Sequence, residues 1–149
     1  MRIQTKYLGE VELDEEQLIS FPSGLPGFAE ETRFVLLDLL GNPVFQILQS
    51  VATPDVAFVV ANPYHFYLEY EFELDTNVKE NLLIRSEKDV TVLSIVTLND
   101  PFEKSTLNLK APVIINPTTK RGKQYILNHE DYSTKSLITQ PNSSEAKGV

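Results

Sequence analysis

Hydrophobic and polar residues alternate with a period of two along much of the chain. RIQTKY at residues 2–7 places every second side chain on a polar face, and EVELD at residues 10–14 repeats the alternation. This period is typical of half-buried β-strands. Because Gly9 permits a turn between the two runs, we predict a hairpin with the basic face of the first strand beside the acidic face of the second.

Further apolar runs follow at short intervals, and turn sequences such as GNP, TPD, ANP and NDP separate them. We predict a strand in each of these runs: QLISF, RFVLLDL, PVFQILQS, DVAFVVA, HFYLEYEFEL, DVTVLSIVTL, STLNLK, PVIIN and QYILN. DTNVKENLLI is the one helical candidate, with Asp75 or Thr76 as its N-cap.

Many short strands with almost no helix indicate an all-β fold. We predict one antiparallel barrel or sandwich domain over residues 1–138, with at most one or two short helices. Residues 139–149 are polar and carry Pro and Gly, so we predict a disordered tail. The predicted core contains Ile3, Val11, Leu13, Phe58, Val60, Leu68, Phe72, Leu93 and Ile95.

Composition narrows the function. The 149 residues carry a formal net charge of −8, which would repel phosphate, so we expect no direct binding of nucleic acid. The absence of cysteine excludes disulfides and thiol nucleophiles. The N-terminus lacks the apolar segment of a signal peptide, and no uncharged apolar run approaches the ~20 residues that cross a bilayer. We therefore expect a cytoplasmic protein that does not associate with membranes.

No catalytic constellation is identifiable. His65 lies in an aromatic run, and His129 precedes Glu130 and Asp131. Adjacent side chains on a strand point to opposite faces, so these three consecutive residues cannot converge on one metal ion. We expect no cofactor and no enzymatic activity; the competing reading is a hydrolase that uses Glu130 or Asp131 with His129.

FPSGLPGF at residues 21–28 contains a lone Gly-x-x-Gly. Pro26 removes one of the few backbone N–H groups that a phosphate-binding loop needs, and acidic residues follow shortly after. A structural corner fits better. Gly24 would adopt positive φ, Phe21 and Phe28 would anchor the ends in the core, and Leu25 would form an exposed apolar tip.

Four blocks of this sequence resemble the FliW family of flagellar assembly factors. They are ISFPSGLPGF, LQSVATPDVAFVVANP, PFEKSTLNLKAPVIIN and GKQYILNHEDY, they stand in the family's order, and the resemblance covers residues 1 to about 138. It implies a small β-barrel-like fold, in agreement with the period-two pattern.

The resemblance also implies a non-enzymatic regulator. Proteins similar to this one bind the translational repressor CsrA and stop it from silencing flagellin mRNA, and they also bind flagellin, which holds them away from the repressor. The expected partners are therefore a CsrA-type regulator and flagellin, and the chain is expected to be a monomer on its own. A flagellin chaperone without a regulatory role is the alternative.

One surface suits such a partner. As a strand, YLEYEFELD would have two opposite faces. One face would be apolar, and the other would be formed by Tyr67, Glu69, Glu71, Glu73 and Asp75. The acidic face is either an edge strand kept soluble by charge or a docking strip for a basic protein surface. With Leu25 and Phe28 of the corner, these are the candidate partner-binding residues.

Overall fold

Alternating apolar residues fold into a closed β-barrel. The structure is a computed structural model and describes residues 1–128 and 131–139. The strands are β1 (Arg2–Gln4), β2 (Glu10–Glu12), β3 (Ile19–Ser20), β4 (Arg33–Leu39), β5 (Asn42–Ser50), β6 (Ala57–Ala61), β7 (Thr91–Thr97), β8 (Thr106–Leu107), β9 (Val113–Asn116), β10 (Arg121–Gln124) and β11 (Ser136–Leu137). The helix α1 spans Thr76–Asn81. Single 3-10 turns cover Glu15–Gln17, Pro63–His65, Glu87–Asp89 and Phe102–Lys104.

Seven strands close the barrel in the order β3-β4-β5-β6-β7-β9-β10, and β10 pairs back onto β3. Every pairing in this ring is antiparallel except the last, which joins Arg121 to Ser20 in parallel. β8 and β11 extend the sheet beside the far end of β7. Closure leaves the ring without free edges, and it confirms the predicted all-β barrel with one short helix.

The N-terminal hairpin forms as predicted. β1 pairs with β2 so that Arg2 faces Glu12 and Gln4 faces Glu10. The Arg2 Nε lies 3.3 Å from a Glu12 carboxylate oxygen, and the Gln4 amide donates to Glu10 across 3.4 Å. Ile3 and Leu13 are buried against β4 and β5 on the outer side of the barrel.

The barrel interior holds one apolar cluster, made of Ile19, Phe21, Leu25, Phe34, Leu48, Val60, Leu93, Val113 and Ile115. The predicted core is confirmed for Ile3, Leu13, Val60 and Leu93. Val11, Phe58, Phe72 and Ile95 are only partly buried. Leu68 was expected in the core and is 84% exposed, so that prediction is wrong; it lies in a tight turn, where no strand face directs its side chain inward.

The corner at residues 21–28 is tighter than expected. Gly24 has φ +66°, and a Cβ there would meet the Phe28 carbonyl oxygen at 2.4 Å, so only glycine fits. The backbone N–H of Phe28 donates to the Leu25 carbonyl oxygen across 2.7 Å. This turn folds Leu25 into the barrel, where it is 2% exposed, and the prediction of an exposed tip is wrong. Phe28, expected to anchor the corner in the core, is 39% exposed.

The helix begins where the sequence predicts. The Asp75 side chain accepts a hydrogen bond from the Val78 N–H across 2.9 Å, which caps α1. Val78 and Leu82 are buried against Ile114 of β9, so the helix covers the outside of the barrel. His129, Glu130 and residues 140–149, which include nearly all of the predicted tail, lie outside the described residues.

One strand prediction is wrong and another is confirmed only in part. HFYLEYEFEL contains no strand: the chain leaves the 3-10 turn at Pro63–His65 and crosses the barrel surface in extended, irregular form. No strand of the described residues pairs with this segment. QYILN contributes only Gln124 to β10, because Tyr125 and Leu127 donate their N–H groups to the loop before β9 instead.

Candidate functional site

Residues 67–75 form an acidic strap across the barrel surface. From Tyr70 onward the strap keeps the predicted alternation, with Tyr70 buried and Phe72 and Leu74 partly buried against the barrel. The intervening carboxylates Glu69, Glu71, Glu73 and Asp75 are exposed. The sequence therefore predicted the two faces correctly over most of the strap, although its backbone belongs to no sheet.

Tyrosine hydroxyls hold the strap in place. Tyr67 donates to the carbonyl oxygen of Leu137, and Tyr70 donates to that of Leu109 across 2.6 Å. The Tyr132 hydroxyl donates to the Glu71 carbonyl oxygen across 3.0 Å and accepts from the Glu71 N–H across 2.9 Å. The Tyr132 hydroxyl thus provides partners for the two backbone groups of Glu71 that a neighbouring strand would have paired. Burial in this cluster raises the pKa of Tyr70 well above its ordinary value.

The glutamates of the strap form no ion pair with another described residue. Within residues 1–128 and 131–139, the ion pairs join Glu12 to the Met1 amino group and to Arg2. These residues belong to the β1–β2 hairpin and not to the strap. In the part of the chain that the structure describes, no cation pairs with Glu69, Glu71 or Glu73. Asp75 differs from them, since its carboxylate caps α1. The strap therefore presents three solvated carboxylates to an incoming surface.

A groove of about 1010 Å³ runs beside the strap, between the strap, α1 and the barrel. Its apolar lining includes Val44, Phe72, Leu74, Ile84, Val90 and Val92. Four charged side chains also line it, Glu73 from the strap, Lys79 from α1, and Arg85 and Glu87 from the following loop. None of these four is in an ion pair with another described residue. An apolar floor between charged walls suits an amphipathic peptide better than a small polar ligand.

The corner lies away from the strap. Phe28 packs its ring edge-on against Phe58, with 5.4 Å between centroids, at the start of β6, whereas the strap follows the end of that strand. Glu31 accepts hydrogen bonds from the hydroxyls of Ser50 and Thr53, the latter across 2.7 Å, which fixes the corner to the loop after β5. The structure thus brings Tyr67, Glu69, Glu71, Glu73 and Asp75 together, and leaves Leu25 and Phe28 elsewhere.

The sequence did not indicate the tyrosine hydrogen bonds that hold the strap, or the groove beside it. Tyr132 lies 61 positions from Glu71, and no local pattern pairs a tyrosine hydroxyl with a distant backbone. The groove depends on how the loop after α1 packs on β7, which periodicity does not report. Across the described part of the chain, no three histidine or carboxylate side chains converge as metal ligands would. Nor does any helix in that part have the length and apolarity to cross a membrane.

A closed seven-stranded barrel crossed by an acidic strap defines a small β-barrel protein with two adjacent surfaces suited to binding. The family model described as FliW protein matches residues 2–138. The chain belongs to the FliW family, which confirms the resemblance seen in the sequence.

Relatives and a solved structure agree with this assignment. The chain is 48% identical over 147 residues to the flagellar assembly factor FliW of Oceanobacillus iheyensis, covering 99% of this chain and all of the relative. It is 47% identical over 138 residues to that of Bacillus subtilis, covering 93% and 96%. A crystal structure of the flagellar assembly factor FliW superposes with a TM-score of 0.91 at 43% identity, covering 95% of this chain and 99% of that one.

Proposed function

We propose that this chain is a non-enzymatic flagellar assembly factor of the cytoplasm. It binds the translational repressor CsrA and relieves the repression of flagellin mRNA, and it binds flagellin as the alternative partner. Free flagellin occupies the factor, and secretion of flagellin releases it to act on the repressor.

The observation that supports this proposal is that the strap borders two different surfaces. Glu69 and Glu71 point to solvent from the strap's outer face, while Phe72, Glu73 and Leu74 form a wall of the groove. Two partners that used these two surfaces would meet at Glu73. Mutual exclusion would then follow from geometry, without any conformational change in the barrel.

The acidic face suits the repressor. An RNA-binding protein presents a basic surface, and uncompensated carboxylates attract such a surface. Once docked, they lower the electrostatic potential near the RNA site and disfavour phosphates there. The chain itself, at net charge −8, has no need to touch RNA.

The groove suits flagellin. Amphipathic helices lay an apolar face into a hydrophobic groove, and the charged residues at the groove walls would pair with the polar flanks of such a helix. Partner binding here should depend on apolar burial and should respond weakly to salt.

Calorimetric titration of the chain with each purified partner tests the proposal. Glu69→Lys together with Glu71→Lys should weaken repressor binding by about tenfold or more, and should change flagellin binding little. Leu74→Ser should do the reverse. Raising the salt to ~0.5 M, where the Debye length falls to a few ångströms, should weaken the repressor complex selectively.

Capture from a lysate separates the regulator from a flagellin chaperone. The tagged chain should retain both the repressor and flagellin. Retention of flagellin alone, together with no heat of binding to purified repressor, would support the chaperone and contradict the regulator.

A further inference from the structure

The end of the strap carries an exposed leucine in a rigid turn. The N–H of Tyr70 donates to the Tyr67 carbonyl oxygen across 3.1 Å, so Leu68 and Glu69 occupy the two central positions of a β-turn. Leu68 is 84% exposed. A solitary exposed leucine is ordinary on a protein surface, so the turn's surroundings decide its meaning.

Both ends of this turn are fixed. The hydroxyl of Tyr67 bonds to Leu137 of β11, and the hydroxyl of Tyr70 bonds to Leu109. The backbone that presents Leu68 is therefore held before any partner arrives. Binding would lose little conformational entropy there, which is the condition under which one side chain contributes strongly to affinity.

The turn joins apolar and acidic surface. At one end of the turn, the Tyr67 hydroxyl bonds to the backbone carbonyl oxygen of Leu137, a residue that is itself 42% exposed. On the other side the strap continues with Glu69 and Glu71, which have no ion-pair partner in the described part of the chain. An apolar centre beside a charged rim is the usual anatomy of a protein interface.

We propose that Leu68 is the apolar anchor of the repressor-binding face, inserting into an apolar recess that lies beside a basic surface of the partner. This inference rests on the proposed function and names a contact within that site. The carboxylates select the basic partner and orient it, and Leu68 supplies the desolvated contact that slows its dissociation.

The test is whether Leu68→Asp raises or lowers the affinity for the repressor. This variant adds a negative charge beside Glu69, so a purely electrostatic interface would bind the basic repressor as tightly as wild type or more tightly. An interface anchored by Leu68 should lose about tenfold or more in affinity despite the added attraction. Leu68→Met should keep affinity within about threefold, because it retains an apolar side chain of similar size.

Leu8→Asp is the matched control. Leu8 is 37% exposed in the turn of the β1–β2 hairpin. The Lys6 N–H in the same turn donates to the Gln49 side chain, at the end of β5 that does not line the groove. It should leave the affinity unchanged, and far-UV circular dichroism and thermal melting should show that both aspartate variants are folded.

Calorimetry with the purified repressor decides between the outcomes. A loss confined to Leu68→Asp supports the anchor. Wild-type or greater affinity of Leu68→Asp overturns it and leaves the proposed function standing. Failure of the wild-type chain to bind the repressor would overturn the proposed function and the anchor with it.

Discussion

Gly122 of β10 lies directly against the ring of Phe21 inside the barrel. A Cβ at residue 122 would fall 2.6 Å from the Phe21 Cζ, and the Phe21 side chain is fully buried. The absence of a side chain at Gly122 thus lets the backbone of β10 pack against the Phe21 ring. The neighbouring residues Arg121 and Ser20 form the one parallel pairing of the barrel. The contact lies where β10 pairs with β3 to close the ring of strands.

Gly122→Ala should therefore destabilise the protein. Overpacking at a rigid site costs roughly 1–3 kcal/mol, measured as the free energy of unfolding in urea. Phe21→Leu, which opens space, should make Gly122→Ala less harmful than it is in the wild-type background. Strict additivity of the two changes would show that this contact does not limit packing.

Tyr132→Phe should loosen the strap. The substitution removes the hydroxyl that pairs with both backbone groups of Glu71, at a cost of about 1–2 kcal/mol in unfolding free energy. Amide hydrogen exchange at Glu71 should accelerate by about tenfold or more. Tyr7→Phe is the control, since Tyr7 is 52% exposed and its hydroxyl makes no hydrogen bond within the described residues. Unchanged exchange at Glu71 would show that the Tyr132 hydroxyl does not hold the strap in place.

Asp75→Ala should shorten or destabilise α1. Loss of the side-chain bond to the Val78 N–H costs about 0.5–2 kcal/mol, visible in the urea midpoint. Asp75→Asn keeps an acceptor at the same position and should recover most of this stability. If the asparagine and alanine variants unfold alike, charge at Asp75 matters more than capping.

Acid should weaken the β1–β2 hairpin through Glu12. The Met1 amino group, and after it Arg2, hold the pKa of the Glu12 carboxyl below its ordinary value. A lowered folded-state pKa contributes stability above the ordinary pKa, and this contribution is lost as the pH falls through the folded value. Wild type should thus melt slightly above Glu12→Gln at neutral pH, and this difference should shrink as acidification takes the pH through the folded-state pKa of Glu12. Glu16→Gln is the control, at an exposed carboxylate that forms no ion pair within the described residues.

Much of the barrel was predictable from the sequence because its strands are bounded by turn residues. The predicted RFVLLDL coincides with β4, and PVFQILQS matches β5 to within one residue. α1 follows its predicted cap at Asp75. In each case the local pattern and the tertiary environment favour the same conformation.

The strap shows where the pattern stops being informative. Alternation reports which side chains turn inward, as Tyr70 and Phe72 do, but it does not report whether the backbone has a neighbouring strand. Here those backbone bonds go to Tyr132, far along the chain. The prediction for Leu25 is wrong for a related reason. The local pattern marks a turn there, but it does not report that the turn directs Leu25 into the barrel.

We propose that the strap serves both partners and therefore admits only one of them at a time. The direct measurement is a competition titration, in which flagellin is added to the complex of this chain with fluorescently labelled repressor while anisotropy and light scattering are recorded. We expect flagellin to release the repressor, with no species containing all three proteins. A stable ternary complex at saturating flagellin would contradict the claim.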